Sequence, residues 1–198
     1  ELVSVLEVRW AAGEDSGDEA DVRRELLRRI AGLKDERLHD DVGALEAYAR
    51  YVPQDPLDIA ARERFVEIGL RRGEFIRVAT VLEQAAQTAD ALSLRGEILM
   101  SAAGVYHEHL ADLRRAEAIY RRVLELDPED AALTLPPARA LERLYQSNDQ
   151  HVELAEILRI EIRLEGAAET RTGPPRRLRD LAEQQPKDLP GAPQAFQP

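Results

Sequence analysis

The chain has 198 residues, 44% apolar and 33% charged, and its 27 Lys and Arg against 38 Asp and Glu leave a formal charge of −11. That acidity argues against broad nucleic-acid binding, which rests on neutralising phosphates with Lys and Arg, and against an anionic membrane surface. Cysteine is absent, which excludes disulfides and thiolate metal sites, and no apolar run approaches the ~20 residues of a membrane-spanning helix.

In chain order, the apolar spacing predicts helices near 1–11, 20–38, 41–52, 57–72, 74–87, 91–110, 112–126, 136–147, 150–165 and 175–185, with no strand. The first carries Leu2, Val5, Leu6 and Trp10. The acidic stretch Gly13 to Glu19 reads as a solvated loop whose acids favour the next helix N-terminus, in preference to a docking site for a basic partner. Residues 23–38 hold apolar side chains at 26, 27, 30, 31, 33 and 38, a broad helical stripe. Asp40 then stands where an N-cap belongs, as does Asp112 later. The next helix carries Ala44, Tyr48, Tyr51 and Val52. Asp55-Pro56 and Asp127-Pro128 are expected to stop one helix and place proline in the first turn of another. Leu135-Pro136-Pro137 stands at the start of the helix expected from 136. Residues 166–176, with Gly173-Pro174-Pro175, read as a linker. Residues 177–198 read as a truncated next repeat or a disordered proline-rich tail holding Pro186, Pro190, Pro193 and Pro198.

The chain repeats itself. Laying 23–56 on 95–128, a shift of 72, makes 13 of 34 positions identical, among them Leu27/Leu99, Ala31/Ala103, Gly32/Gly104, Leu38/Leu110, Asp40/Asp112, Ala44/Ala116, Tyr48/Tyr120 and Pro56/Pro128. A second block recurs at a shift of 76: Leu2, Val5 and Leu6 return as Val78, Val81 and Leu82, then as Leu154, Ile157 and Leu158. Phe65, Ile68 and Phe75 return as Leu141, Leu144 and His151. The four extra residues fit the stretch around Pro136-Pro137. Residues 1–165 therefore form an array of helical hairpins with a unit of about 76 residues, two hairpins of roughly 38 each. A single hairpin cannot bury both its faces, so stacked neighbours supply the missing core. In this register residues 1–11 match a second helix without its first, so the chain is expected to be a segment of a longer array, with Trp10 exposed here.

Ala44, Tyr48 and Pro56, repeated as Ala116, Tyr120 and Pro128, make a small–x₃–aromatic–x₇–Pro pattern that resembles the second half of a tetratricopeptide (TPR) repeat. Gly32 and Gly104 stand 12 residues before each alanine, where that family prefers a small residue. The first helix of the pattern is not cleanly filled, and the alternate hairpins lack the signature. The chain is similar to the long, divergent TPR arrays of large bacterial proteins. The resemblance implies an all-α fold, a TPR-like α-solenoid in which antiparallel helix pairs form a right-handed superhelix. It also implies binding of a peptide or partner domain along the concave face lined by first helices.

Chemistry is sparse. His107 and His109 are two residues apart on a helix and point to different sides, unlike a zinc helix with His at i and i+4. His39 falls in a turn and His151 replaces Phe75. Neither a glycine-rich phosphate loop nor a nucleophile elbow occurs. No catalytic residue, metal site or cofactor is expected, and the chain reads as a non-enzyme. The arginine pairs interleave with acids and read as surface ion pairs. A sharper reading, taken from TPR grooves, has Arg24, Arg28 and Lys34 lining a groove for an acidic peptide or a C-terminal carboxylate. The five tyrosines at helical spacing read as core. The expected function is a protein-interaction scaffold with a protein or peptide partner, no nucleic acid and no membrane insertion. Alternatives are a substrate-recruiting or regulatory domain of a larger enzyme and an RNA-processing helical-repeat protein. A cytoplasmic location is the expectation, though no residue fixes it.

Overall fold

A computed structural model describes residues 1–16 and 20–169. More than two-thirds of the described residues are helical and none lies in a strand, so the fold is all-α. Among them nine helices follow in order. These are α1 (Leu2–Ser16), α2 (Ala20–Gly32), α3 (Asp41–Tyr51), α4 (Ile59–Arg71), α5 (Phe75–Thr88), α6 (Leu92–Glu108), α7 (Leu113–Leu124), α8 (Ala131–Ser147) and α9 (His151–Glu169), and a π-helical turn, Leu33–Arg37, extends α2. Each helix packs on its neighbours in sequence, and α6 also touches α8.

Four tight turns join α2 to α3, α4 to α5, α6 to α7 and α8 to α9. One residue in each has a left-handed backbone: His39 (φ 51°), Gly73 (74°), Ala111 (51°) and Asp149 (56°). The turns are of two kinds, and the kinds alternate. The amides of Asp40 and Asp112 donate back to the carbonyls of Lys34 and Tyr106, six residues earlier, while those of Glu74 and Gln150 donate to Gly69 and Tyr145, five residues earlier. The first pair lies 72 residues apart and the second 76, the two shifts read from the sequence. Turns of one kind thus recur at every second connection.

Asp40 and Asp112 cap as expected, accepting from Gly43 N at 3.0 Å and Arg115 N at 3.1 Å. The prolines are placed differently. α4 starts at Ile59 and α8 at Ala131, because Asp58 and Asp130 accept from Ala61 N (3.0 Å) and Ala132 N (2.9 Å) and so fix the helix starts. Pro56 and Pro128 therefore stand in the preceding loops, not in first turns. Nor does α8 wait for Pro136; both Pro136 and Pro137 lie inside it. Each removes one backbone donor, but the cap at Asp130 and the burial of Leu133 and Thr134 carry the helix through. α8 has 17 residues against 13 in α4. The four-residue insertion is close to one helical turn of ~3.6 residues, so it lengthens the helix without rotating its buried face.

All five tyrosines are buried, as expected: Tyr48, Tyr51, Tyr106, Tyr120 and Tyr145. Burial pushes the Tyr48 phenol up to about 12. Where a hydroxyl reaches an edge it stitches hairpins together. Tyr106 on α6 donates to Glu83 on α5 (2.8 Å), and Tyr145 on α8 donates to Glu117 on α7 (2.7 Å) while accepting from Arg121 (3.0 Å). Ala44 and Ala116 are wholly buried, consistent with close helix approach. Gly32 and Gly104 are not close-packed, since a Cβ on either would meet nothing within 4 Å. Close approach is needed instead at Gly69, where a Cβ would strike the Val78 side chain, and at Gly96, where it would strike Leu133.

Toward the N-terminus, α1 extends to Ser16, so the first half of the expected acidic loop is helical. Leu2, Val5 and Val8 are exposed, but Trp10 is half-buried, packed on the core with the guanidiniums of Arg23 and Arg50 over its ring at 5.8 and 5.2 Å. α9 continues to Glu169, four residues past its expected end. The readings of 177–185 and of the proline-rich tail fall outside the described residues.

A candidate binding groove along the first helices

The first helix of each hairpin (α2, α4, α6 and α8) contributes a wall to a series of cavities. Between α2 and the start of α4 lies one of about 490 Å³, lined by Asp21, Arg24, Glu25, Arg28, Tyr51, Asp55, Leu57 and Asp58. Between α4 and α6 lies one of about 280 Å³, lined by Arg62, Glu63, Val66, Glu67, Glu97 and Ser101, with Leu82 of α5 beneath. Between α6 and α8 lies one of about 530 Å³, lined by Ser93, Gly96, Glu97, Met100, Ser101, Asp130, Ala132, Leu133 and Pro136. Glu97 and Ser101 wall both the second and the third.

The first and third cavities are the same place in successive repeats. At the 72-residue shift Asp21 becomes Ser93, Arg24 becomes Gly96, Glu25 becomes Glu97, Arg28 becomes Met100 and Asp58 becomes Asp130. The frame recurs while the lining changes. In the first cavity Arg28 makes a fork on Glu25 at 2.8 and 2.9 Å, and Arg24 pairs with Asp21 at 2.6 Å. The hydrogen bonds from Arg28 hold the Glu25 carboxyl below its usual range, and Glu25 in turn holds the Arg28 guanidinium in its charged form. Tyr51 donates to Asp58 at 2.9 Å and to Asp55 at 3.2 Å. In the third cavity the arginines are gone, leaving Gly96 and Met100 opposite Leu133 and Pro136.

Arg24 and Arg28 line the same cavity. Lys34 is elsewhere. Lys34, in the π turn after α2, points to α1, where it pairs with Glu7 at 2.6 Å, as its counterpart Tyr106 points to α5, and Asp35 points to α4. Gly43 makes room for it, since a Cβ there would stand 2.9 Å from Lys34 Cδ. Both arginines are already neutralised by neighbouring acids. Among the described residues four carboxylates and two guanidiniums line the first cavity, three carboxylates and one guanidinium the second, and two carboxylates and no cation the third, Glu97 being shared by the last two and paired with Arg62. The groove is acidic throughout, the reverse of what an acidic peptide needs.

Two ionic contacts, each with one buried partner, tie α4 to the turn after α2 and to α6. Arg64 of α4 forks onto Asp35 at 2.6 and 2.7 Å and holds that buried carboxyl below its usual range. Arg62, also of α4, is buried, donating to the Pro56 carbonyl (2.6 Å) and to Glu97 of α6. At the 72-residue shift Arg62 becomes Thr134, which likewise returns to its loop, donating to the Asp127 carbonyl at 2.9 Å.

The cavity residues of α6 and α8 were not singled out in the sequence. A signal was present in the differences between repeats. Arg24/Gly96 and Arg28/Met100 are changes of character at positions whose neighbours, Glu25/Glu97 and Leu27/Leu99, do not change. Among the described residues no three His, Asp or Glu side chains converge as a metal site, and no helix is long and apolar enough to cross a membrane. The chain matches no family model and no curated protein.

Proposed function

We propose that this chain is a protein-interaction module, a segment of a TPR-like array that holds a short stretch of another protein along α2, α4, α6 and α8. The observation that carries this reading is the row of three cavities on alternate helices, two of them register-equivalent and differently lined. A repeated frame with variable lining suits recognition of an extended ligand one element at a time. The acidic lining opposes a phosphate backbone, so the RNA-processing reading loses support. Whether the module recruits a substrate for an enzyme elsewhere in a longer protein follows from the partner's identity.

A random-peptide display selection against the immobilised protein tests the reading, run in parallel against a variant carrying Leu57→Trp and Ala132→Trp. Both positions are exposed and line the end cavities. Peptides enriched on the parent and lost on the variant are the expected outcome. Enrichment that ignores the variant, or none above background, refutes it.

A further inference from the structure

The third cavity differs from the rest of the groove in a way that names a ligand class. Its floor is Gly96 and Leu133 and its walls are Met100 and Pro136, apolar surface in a cleft of about 530 Å³. Its rim is anionic. Asp130 borders it beside Glu97, whose carboxylate Arg62 already pairs, and the rim runs on to Glu63, which is exposed and makes no ion pair among the described residues. The only guanidinium in the adjoining cavity lining, Arg62, is buried and committed to Glu97 and the Pro56 carbonyl.

We propose that the α4–α6–α8 end of the groove takes a basic segment of a partner protein, with one large apolar side chain seated between α6 and α8 and Lys or Arg on either side facing Glu63 and Asp130. This rests on the reading of the groove as a protein-binding surface. Charge complementarity carries it. Burying an apolar anchor supplies affinity, and the acidic rim steers a cationic flank and rejects an anionic one. The register-equivalent cavity at α2 cannot seat the same anchor, because Arg24 and Arg28 line it in place of Gly96 and Met100. The groove therefore fixes where along it the anchor sits.

Fluorescence anisotropy on the full chain tests this with three labelled twelve-residue probes: one Leu flanked by Lys, one Leu flanked by Glu, and one Ser flanked by Lys. The Lys-flanked Leu probe binds at least ten-fold more tightly than either of the others. Ala132→Trp, which fills the cavity from an exposed position, weakens it at least ten-fold, and Glu63→Lys weakens it about five-fold, with both variants melting like the parent. If the Ser probe binds as well as the Leu probe, or the Glu-flanked probe binds as tightly and is lost in Ala132→Trp, the ligand class is wrong and the groove reading survives. If no probe binds, or binding ignores Ala132→Trp, the groove reading falls as well.

Discussion

The cavity between α2 and α4 and the cavity between α6 and α8 share a backbone frame and almost nothing else. Each is set by an aspartate cap (Asp58, Asp130), a wall glutamate (Glu25, Glu97) and a buried polar residue returning to the loop (Arg62, Thr134). One is filled with ion pairs between Arg24, Arg28 and their acids, and the other is left apolar by Gly96 and Met100. The frame is costly to alter where it is buried, at Arg62 and Thr134, and where its aspartates cap a helix. A lining faces solvent and is free to diverge.

If the frame is common, its core residues should cost the same in both repeats. Tyr48→Ala and Tyr120→Ala are each expected to destabilise by about 3 kcal/mol, the range for deleting a buried aromatic. Urea melts check this, and a large inequality would mean the repeats are not equivalent.

Linings should instead respond differently at one register position. Gly96→Leu collides with Leu133 across α6 and α8 and is expected to cost about 1–3 kcal/mol through overpacking. Arg24→Leu, its counterpart on an open wall, should fall within about 0.5 kcal/mol of the parent.

A third test uses pH. Asp35 is buried against Arg64, whereas the register-equivalent His107 has no such partner among the ion pairs of the described residues. Asp35→Asn is expected to cost about 1–3 kcal/mol at pH 7, and His107→Asn very little. Arg64 lowers the folded-state pKa of Asp35 below its unfolded value, so the carboxylate's contribution is present in full above that unfolded value. It is lost as pH falls through the folded value. Melts from pH 7 down to about 2.5 should therefore show the parent losing stability more steeply below about pH 4 than Asp35→Asn, and the two converging.

The hairpin turns offer a paired change of opposite sign. Gly73 and Ala111 both hold left-handed backbone. Gly73→Ala is expected to destabilise by about 1 kcal/mol, and Ala111→Gly to stabilise by less than that, because only glycine takes this conformation without steric cost. Thermal melts decide it. The smallest effect is expected from Arg28→Met, which copies the third cavity's residue into the first. Its ion pair with Glu25 is half-exposed on both sides, so stability should move by no more than about 0.5 kcal/mol. Binding of an apolar dye should nonetheless rise at that end.

The sequence alone determined the helical class, the alternating 72- and 76-residue shifts, the caps at Asp40 and Asp112 and the buried tyrosines. These follow from local chemistry: apolar periodicity, a side-chain oxygen beside free amides, and identity between copies. Tertiary structure decided the rest. Pro56 and Pro128 yielded the helix starts to Asp58 and Asp130, and α8 began at Ala131 instead of 136 and ran through both prolines, because caps and burial outweighed the loss of single backbone donors. Lys34 lay outside the groove because its helix position faces the preceding helix, where Glu7 pairs with it, as Tyr106 faces Glu83. Gly96 rather than Gly104 proved the close contact, since what a missing Cβ allows depends on the helix that passes opposite. The groove's acidity and its two unlike cavities emerged only when first helices far apart in the chain were brought side by side, and no spacing along one helix encodes that.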